Sequence, residues 1–316
     1  GLPEFDELYV KAENNPKIKM KKVVSARDLI GLYNKFRIET GRYYLINVDH
    51  ANTHGSFKER VCMSNLCQEV IHPVTPLQHL NDPDGQIGIC ILAALNPINI
   101  KTDEELESVC NITVRMLDNL IDYQDYFCLP AKNFATKYRS LGVGITNFAA
   151  WLAKKGLKYS SPEAREEAHT FFESFQYYLL KASNQIAKEK GACEWFHKTK
   201  YSDGILPIDT YEKNIDAFIP NNLKKDWEGL RSDILKDGLR NSTVTAFMPC
   251  EASSLVTNST NGLEKPRSKS IVKTNKSKDF PVIVPHFKRW NYEYAFEKDT
   301  NEDHIMMMAI VQKFGD

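Results

Sequence analysis

Apolar positions in this chain change period several times, and each change marks a change of element. Near the start Leu8, Tyr9 and Ala12, then Val23, Ala26, Leu29, Ile30, Tyr33 and Phe36, recur at three and four residues, with a break at Asn14-Asn15-Pro16. That spacing predicts two short helices, because side chains three and four apart share one helix face. Arg42-Tyr43-Tyr44-Leu45-Ile46-Asn47-Val48 is β-branched and aromatic and predicts a first strand, with Asp49-His50-Ala51-Asn52-Thr53-His54-Gly55 as a loop at its carboxyl end. Residues 61–70 and the apolar run Ile87-Gly88-Ile89-Cys90-Ile91-Leu92 read as two more strands, the second of the kind buried on both faces.

Helical periods then dominate. Helices are predicted over 104–120, over 146–155 after the turn-like Leu141-Gly142-Val143-Gly144, and over 162–190, where Gly191 closes the longest of them. Gly142-x-Gly144 lacks the third glycine of a phosphate loop and is assigned to a strand or turn with close packing. The acid-rich residues 118–125 read as a helix end on which Tyr123 and Tyr126 pack. Arg240-Asn241-Ser242-Thr243-Val244-Thr245-Ala246-Phe247 returns to strand character, and the basic, polar stretch 265–279 reads as an exposed loop or hairpin. Strands alternating with helices, with polar clusters just after the strands, favour an α/β fold such as a barrel, with its site at the strands' carboxyl ends.

Composition removes some function classes. Forty-one basic residues balance 41 acidic ones, so no global field favours wrapping nucleic acid or lying on an anionic membrane. No apolar run approaches the roughly 20 residues of a membrane span, and Gly1-Leu2-Pro3-Glu4-Phe5-Asp6-Glu7 has no basic segment followed by an apolar one. The seven cysteines are odd in number, and their one close pair is Cys62-x4-Cys67, which is not a metal spacing. The expectation is a soluble, unsecreted protein of a reducing cytoplasm. His50 and His54 have one nearby carboxylate, Asp49, and are expected to hydrogen-bond rather than hold a metal.

Three places carry candidate chemistry. In Ser64-Asn65-Leu66-Cys67-Gln68-Glu69 an amide, a thiol and a carboxylate alternate, so in an extended segment Asn65, Cys67 and Glu69 face one way. A thiol can act as nucleophile or radical, a carboxylate can take a proton, and an amide can hold a hydroxyl. The same pattern also describes a half-buried strand with one core thiol. In Pro249-Cys250-Glu251-Ala252-Ser253-Ser254, backbone N–H groups and hydroxyls suit an anionic phosphate, although the Glu251 carboxylate would repel it; a Ser-rich helix cap without ligand is the alternative. Cys90, in its apolar run, reads by its surroundings as an inert core thiol.

Taken in order, Asn47-Val48-Asp49-His50-Ala51-Asn52-Thr53-His54, Ser64-Asn65-Leu66-Cys67-Gln68-Glu69, Gln86-Ile87-Gly88-Ile89-Cys90, Leu239-Arg240-Asn241-Ser242-Thr243 and Met248-Pro249 with Ala252-Ser253-Ser254 strongly resemble the large subunit of aerobic class I ribonucleotide reductase. The resemblance runs from about residue 5 to the last residue. It implies the second half of a ten-stranded α/β barrel with the radical cysteine on an inner finger loop, so that residues 1–316 form a partial catalytic domain. The N-terminal ATP cone, the effector site and the first half-barrel have no counterpart in the sequence. The match stops at Val311-Gln312-Lys313-Phe314, before the family's radical-relaying tyrosine pair and its mobile reducing tail.

The roles implied by the resemblance follow residue by residue. Cys67 becomes the thiyl radical that removes the 3′ hydrogen of a ribonucleoside diphosphate. Glu69 takes the 3′-hydroxyl proton, and Asn65 holds the ribose hydroxyls while the 2′-hydroxyl leaves as water. Ser64 joins these three in binding substrate, and Pro249, Glu251, Ala252, Ser253 and Ser254 hold its diphosphate. Cys90 matches a redox cysteine that ends in a disulfide, which overturns the inert-thiol reading, but its partner has no match in this chain. Cys62, Cys110, Cys128, Cys193 and Cys250 are read as structural or incidental. This segment binds no cofactor or metal itself. Its radical comes from a metal-containing small (beta) subunit, and its electrons from an external dithiol of the thioredoxin or glutaredoxin type.

Half a barrel leaves strand edges and apolar surface uncovered, so the chain is expected to be a fragment or split-gene subunit, inactive alone and completed by a polypeptide carrying the first half. The rival reading is a non-catalytic assembly or regulatory remnant. Joint retention of Asn65, Cys67, Glu69 and Cys90 speaks against it, since a scaffold needs none of the four. The cobalamin-dependent relative matches these strings less well.

Overall fold

The computed structural model describes residues 3–219, 222–274, 278–297 and 301–316, and divides into a small unit, Gly1–Thr53, and a large one, His54–Asp316. In the small unit the two predicted helices form as α1 (Pro3–Glu13) and α2 (Ala26–Thr40), the latter capped by Ser25, whose side chain accepts the N–H of Asp28. No residue of α2 is buried, and Leu29 and Ile30 keep 56% and 58% of their surface exposed. The strand expected over 42–48 does not form. Those residues are irregular up to α3 (Val48–His54), so the expected loop is instead helical. β-propensity measures fit to a paired, pleated surface, and no partner strand is present among the described residues.

The large unit is mixed α/β around a short parallel core. Strand β1 (Leu92–Leu95) pairs in parallel with β2 (Gly142–Ile145), register Leu92↔Gly142 to Leu95↔Ile145. On the other side of β2, residues 243–246 run alongside. Leu141 N–H donates to Thr243 O at 3.0 Å, Val143 N–H to Val244 O at 2.8 Å and Ala246 N–H to Val143 O at 3.2 Å, with a parallel bridge Val143↔Thr245. All four residues of β2 are buried, as befits the middle of three segments. The outer edge of β1 pairs with no strand among the described residues.

Two expected strands are therefore shorter than predicted. The apolar run 87–92 becomes a strand only from Leu92 onward, and residues 240–247 contribute one bridge. The segment 61–70 has no strand at all. A continuous barrel is not closed by the described residues.

Close packing explains the Gly142-x-Gly144 pair. A Cβ on Gly144 would lie 2.5 Å from Ala246 O and 2.7 Å from Met248 Sδ, both too near for a real contact. Gly144→Ala is expected to push β2 away from residues 243–248 and lower stability by about 1–3 kcal/mol, read as a drop in the denaturant midpoint. An unchanged midpoint would mean the third segment yields freely.

Helix limits follow local capping. Thr102 caps α4 (Asp103–Tyr123) by accepting Glu105 N–H at 3.2 Å; α5 (Leu129–Tyr138) and α6 (Phe148–Lys154) flank β2. Helix α7 (Pro162–Lys190) begins after Ser161, with Pro162 in its first turn, and ends at Gly191, where φ is 86°. It packs against α4 through a core that includes Val114, Leu117, Phe172, Phe175 and Leu179. After α8 (Pro207–Thr210), α9 (Trp227–Asp237) and α10 (Glu251–Val256), the stretch expected as loop or hairpin forms β3 (Ser270–Thr274) and β4 (Asp279–Ile283), paired antiparallel; residues 275–277 lie outside the described residues. Helix α11 (Asn301–Gln312) completes the core with Met307, Ile310 and Val311.

Residues 118–125 contain the expected helix end, with α4 finishing at Tyr123, and their acids build an ion-pair knot besides. Tyr123 is 88% exposed, whereas Tyr126 is half-buried against the core and donates to Ile121 O at 2.7 Å. Asp118, fully buried, accepts from Arg139 Nε at 2.7 Å and from Asn241 Nδ2 at 3.3 Å, and Asp122 takes Arg139 Nη1 at 2.7 Å. Burial works against the Arg139 charge, but its bonds to Asp122 and Asp118 outweigh that and hold its pKa above the usual value. This knot joins α4, the end of α5 and residues 239–241.

Candidate active site

Residues 65–70 form a tight turn rather than an extended ladder. Gln68 N–H donates to Asn65 O at 3.2 Å, Asn65 N–H to Val70 O at 3.2 Å, and Val70 N–H to Asn65 Oδ1 at 3.1 Å, with Gln68 at φ 64°. An Asn side chain that accepts a backbone N–H is a common way to close such a turn. Alternation therefore does not align Asn65, Cys67 and Glu69; the turn does the positioning. Cys67 is exposed, and Cys67 and Glu69 line one cavity of about 230 Å³ together with Cys90, His72, Thr243 and Ala246. Ser64 donates to the Asn65 carbonyl at 3.0 Å and does not line the cavity.

Asn65 faces Cys90 rather than the opening. Its Nδ2 lies 3.9 Å from Cys90 Sγ, within reach of a weak N–H···S bond. Cys90 is exposed, so the inert core thiol read from its neighbours is overturned by the fold. Partial burial, the nearby Glu69 charge and Cys67 push the Cys90 thiol above its ordinary pKa, and Asn65 opposes them. At neutral pH Cys90 is thus a thiol rather than a thiolate, suited to giving up hydrogen or electrons. Glu69 Oε2 is buried without a hydrogen-bond partner. A carboxylate oxygen left unpaired beside a cavity is open to accept a proton from whatever enters.

Two lining residues escaped sequence reasoning. His72 is buried, 4.7 Å from the Phe134 ring and edge-on to Phe57 at 5.9 Å, and burial lowers its pKa to about 3, so its imidazole is neutral. A single His beside Pro73 in an apolar stretch carries no signal of this. Asp316 anchors the cavity floor: its Oδ2 accepts from Val244 N at 2.5 Å and Thr245 N at 2.8 Å, while its Oδ1 accepts from Gln176 Nε2 at 3.1 Å and from the Tyr201 hydroxyl. His54, expected to hydrogen-bond, does so with Thr210 Oγ1 and Gln312 O, both at 2.9 Å.

The segment 249–254 leaves the cavity floor through Ala246 and Phe247 but does not line the cavity. Pro249, Ala252 and Ser253 are exposed; Ser254 is buried and its hydroxyl is spent on Glu251 O at 3.3 Å. Cys250 N–H donates to Asn261 Oδ1 at 2.6 Å, and Asn261 Nδ2 donates to Glu251 Oε1 at 3.0 Å. The structure thus gathers Cys67, Glu69 and Cys90 in one cavity, with Asn65 behind Cys90, and keeps 249–254 at a separate position. Of the remaining cysteines, Cys110, Cys128, Cys193 and Cys250 are buried, with Cys193 pushed up to about 12 by burial, and Cys62 is exposed outside the cavity lining. Among the described residues no cluster of His, Cys, Asp and Glu has the makings of a metal site, and no helix is long and apolar enough to cross a membrane.

A family model described as ribonucleotide reductase, barrel domain, matches residues 2–314. The chain is 46% identical over 318 residues to the ribonucleoside-diphosphate reductase subunit alpha of Haemophilus influenzae, 99% of this chain and 42% of that protein. It is 45% identical to ribonucleoside-diphosphate reductase 1 subunit alpha of Escherichia coli, again 99% of this chain and 42% of that protein. With the subunit alpha of Enterobacteria phage T4 it shares 40% identity over 98% of this chain and 41% of the phage protein. The chain therefore spans about two fifths of the length of the curated relatives it matches.

Proposed function

We propose, from the premise that this chain belongs to the ribonucleotide reductase barrel-domain family, that it carries the substrate-facing thiol centre of a ribonucleoside-diphosphate reductase alpha subunit. The observation that carries the reading is the meeting of exposed Cys67, the unpaired Glu69 Oε2 and Cys90 on one cavity. A scaffold gains nothing from two solvent-reachable thiols beside an unpaired carboxylate oxygen. At about 230 Å³ the cavity is smaller than the roughly 300–1,000 Å³ of a whole small-molecule site, which suits a ribose with its base and phosphates outside.

In this reading Cys67, as a thiyl radical, takes the 3′ hydrogen of the ribose. Glu69 takes the 3′-hydroxyl proton, and the 2′-hydroxyl leaves as water. Cys90 with a second cysteine supplies two electrons and two protons and becomes a disulfide, so one dithiol is consumed for each deoxyribonucleoside diphosphate and water formed. Cys67 is restored when it returns a hydrogen to the 3′ carbon. Asn65 orients the ribose hydroxyls by a modest reorientation from Cys90. Pro249, Glu251, Ala252, Ser253 and Ser254, with Ser64 near the sugar, surround the diphosphate, Glu251 contributing its backbone N–H and not its side chain. Ala252 stands where many bacterial members have threonine, so backbone donors carry more of that contact.

The partners in this proposal are a metal-containing small subunit that delivers the radical and a thioredoxin- or glutaredoxin-type dithiol, and the fold is one half of a ten-stranded barrel with Cys67 on its inner finger loop. The unpaired edge of β1 and the uncovered apolar side chains of α2 support the presence of that other half.

The test is an alpha subunit that contains this segment, combined with the small subunit and a dithiol and assayed for conversion of ribonucleoside to 2′-deoxyribonucleoside diphosphates. In that system Cys90→Ser is expected to lower steady-state turnover by roughly 10²-fold or more while leaving substrate affinity within a few-fold. Sustained turnover by that variant would take Cys90 out of the electron path.

A further inference from the structure

Glu251 poses a problem for any diphosphate reading of residues 249–254, because a carboxylate at the head of the loop repels the ligand it is meant to hold. The structure shows how that charge is occupied. Glu251 Oε2 forms an ion pair with Lys273 Nζ, and Glu251 Oε1 accepts from Asn261 Nδ2 at 3.0 Å. Asn261 in turn holds the Cys250 N–H through Oδ1 at 2.6 Å. A chain of contacts therefore runs from the backbone of the loop through Asn261 and Glu251 to Lys273.

Lys273 lies on β3, in a two-stranded hairpin whose residues alternate exposed and half-buried. The Lys273 side chain keeps 27% of its surface and that of Glu251 62%, so the pair sits in partly screened surroundings. A pair this open adds little to stability. Its electrostatic effect on a dianionic or trianionic neighbour is larger, because the ligand meets a neutral pair instead of a bare carboxylate.

We infer that Lys273 is a positioning residue for the diphosphate, which by pairing with Glu251 cancels the carboxylate's repulsion at the 249–254 loop. The inference rests on the reading of that loop as the diphosphate site.

The experiment is a double-mutant cycle in the reconstituted holoenzyme, with KM and kcat measured for a ribonucleoside diphosphate. Lys273→Met is expected to raise KM roughly tenfold, equivalent to about 1.4 kcal/mol, with a much smaller change in kcat because the thiol centre is carried by another segment. Lys273→Arg should restore most of the affinity. Glu251→Gln combined with Lys273→Met should also return KM toward the parent value, since the repelling charge is then gone, and the Lys273→Met effect should shrink at high salt. A KM that does not move in Lys273→Met overturns the inference. A KM that rises and is not relieved by Glu251→Gln overturns it too, for it assigns Lys273 to holding the hairpin rather than to charge. Failure of the parent holoenzyme to bind or reduce any ribonucleoside diphosphate would instead sink the underlying reading of the site.

Discussion

Replacing Cys67 by Ser is expected to stop nucleotide reduction in the reconstituted complex, with a loss of roughly 10⁴-fold or more, the scale seen when the reacting atom of a catalytic unit is removed. The substitution is nearly isosteric, and Cys67 sits on the rim of an open cavity rather than in the core, so folding and substrate affinity should survive. What is lost is specific. An S–H bond is weak enough to be remade after a sulfur radical has taken hydrogen from carbon, whereas an alcohol O–H bond is too strong for a protein to form and cycle its oxygen radical. Glu69 and Asn65 remain in place in the variant, since the 65–70 turn is closed by backbone groups and Asn65 Oδ1, none of which involve the thiol. Turnover and equilibrium binding of a ribonucleoside diphosphate, measured side by side, separate the outcomes. Full activity of Cys67→Ser would reject it as the radical position.

The second large effect is structural. Asp118→Ala should lower the unfolding free energy by about 3–5 kcal/mol, the range for removing one partner of a buried ion pair. The guanidinium of Arg139, almost wholly buried, would lose the bond at 2.7 Å to Asp118 Oδ1 and keep only the half-exposed Asp122 for its charge. Asn241 Nδ2 would lose a partner as well, and its backbone leads directly into residues 243–246 that floor the cavity. A fall in the denaturant midpoint together with reduced substrate affinity is the expected pair of results. The exposed Arg115–Glu189 bridge, removed as a control, should give no comparable loss. A stable, fully active Asp118→Ala protein would show that water enters and solvates Arg139.

Much of the helical framework was legible in the sequence because helix limits are set within a few residues. Pro162 opens α7 and Gly191 closes it as read, and α4 starts within a residue of the predicted span. The glycines of β2 and the basic hairpin were also legible, being local statements about space and turn chemistry. Strands were read poorly: 42–48 and 61–70 have strand composition but no neighbour to pair with, and 87–92 yields a strand only where β2 lies alongside. Alternation was the wrong reason for grouping Asn65, Cys67 and Glu69. Residues 65–70 curl into a turn, and it is the turn that brings Cys67 and Glu69 to the cavity that Cys90 also lines.

By itself the sequence determined the longest helices and the family, because capping and motif order are properties of neighbours along the chain. Tertiary structure alone decided that Cys90 is reachable, that Glu69 keeps an oxygen unpaired, that Asp316 ties down the cavity floor and that Lys273 answers the charge of Glu251. Each of these depends on groups distant in sequence, as far apart as Ser56 and Asp316 at 260 residues. Burial, desolvation and charge pairing are set by what the fold places within a few ångströms, and no local pattern encodes that.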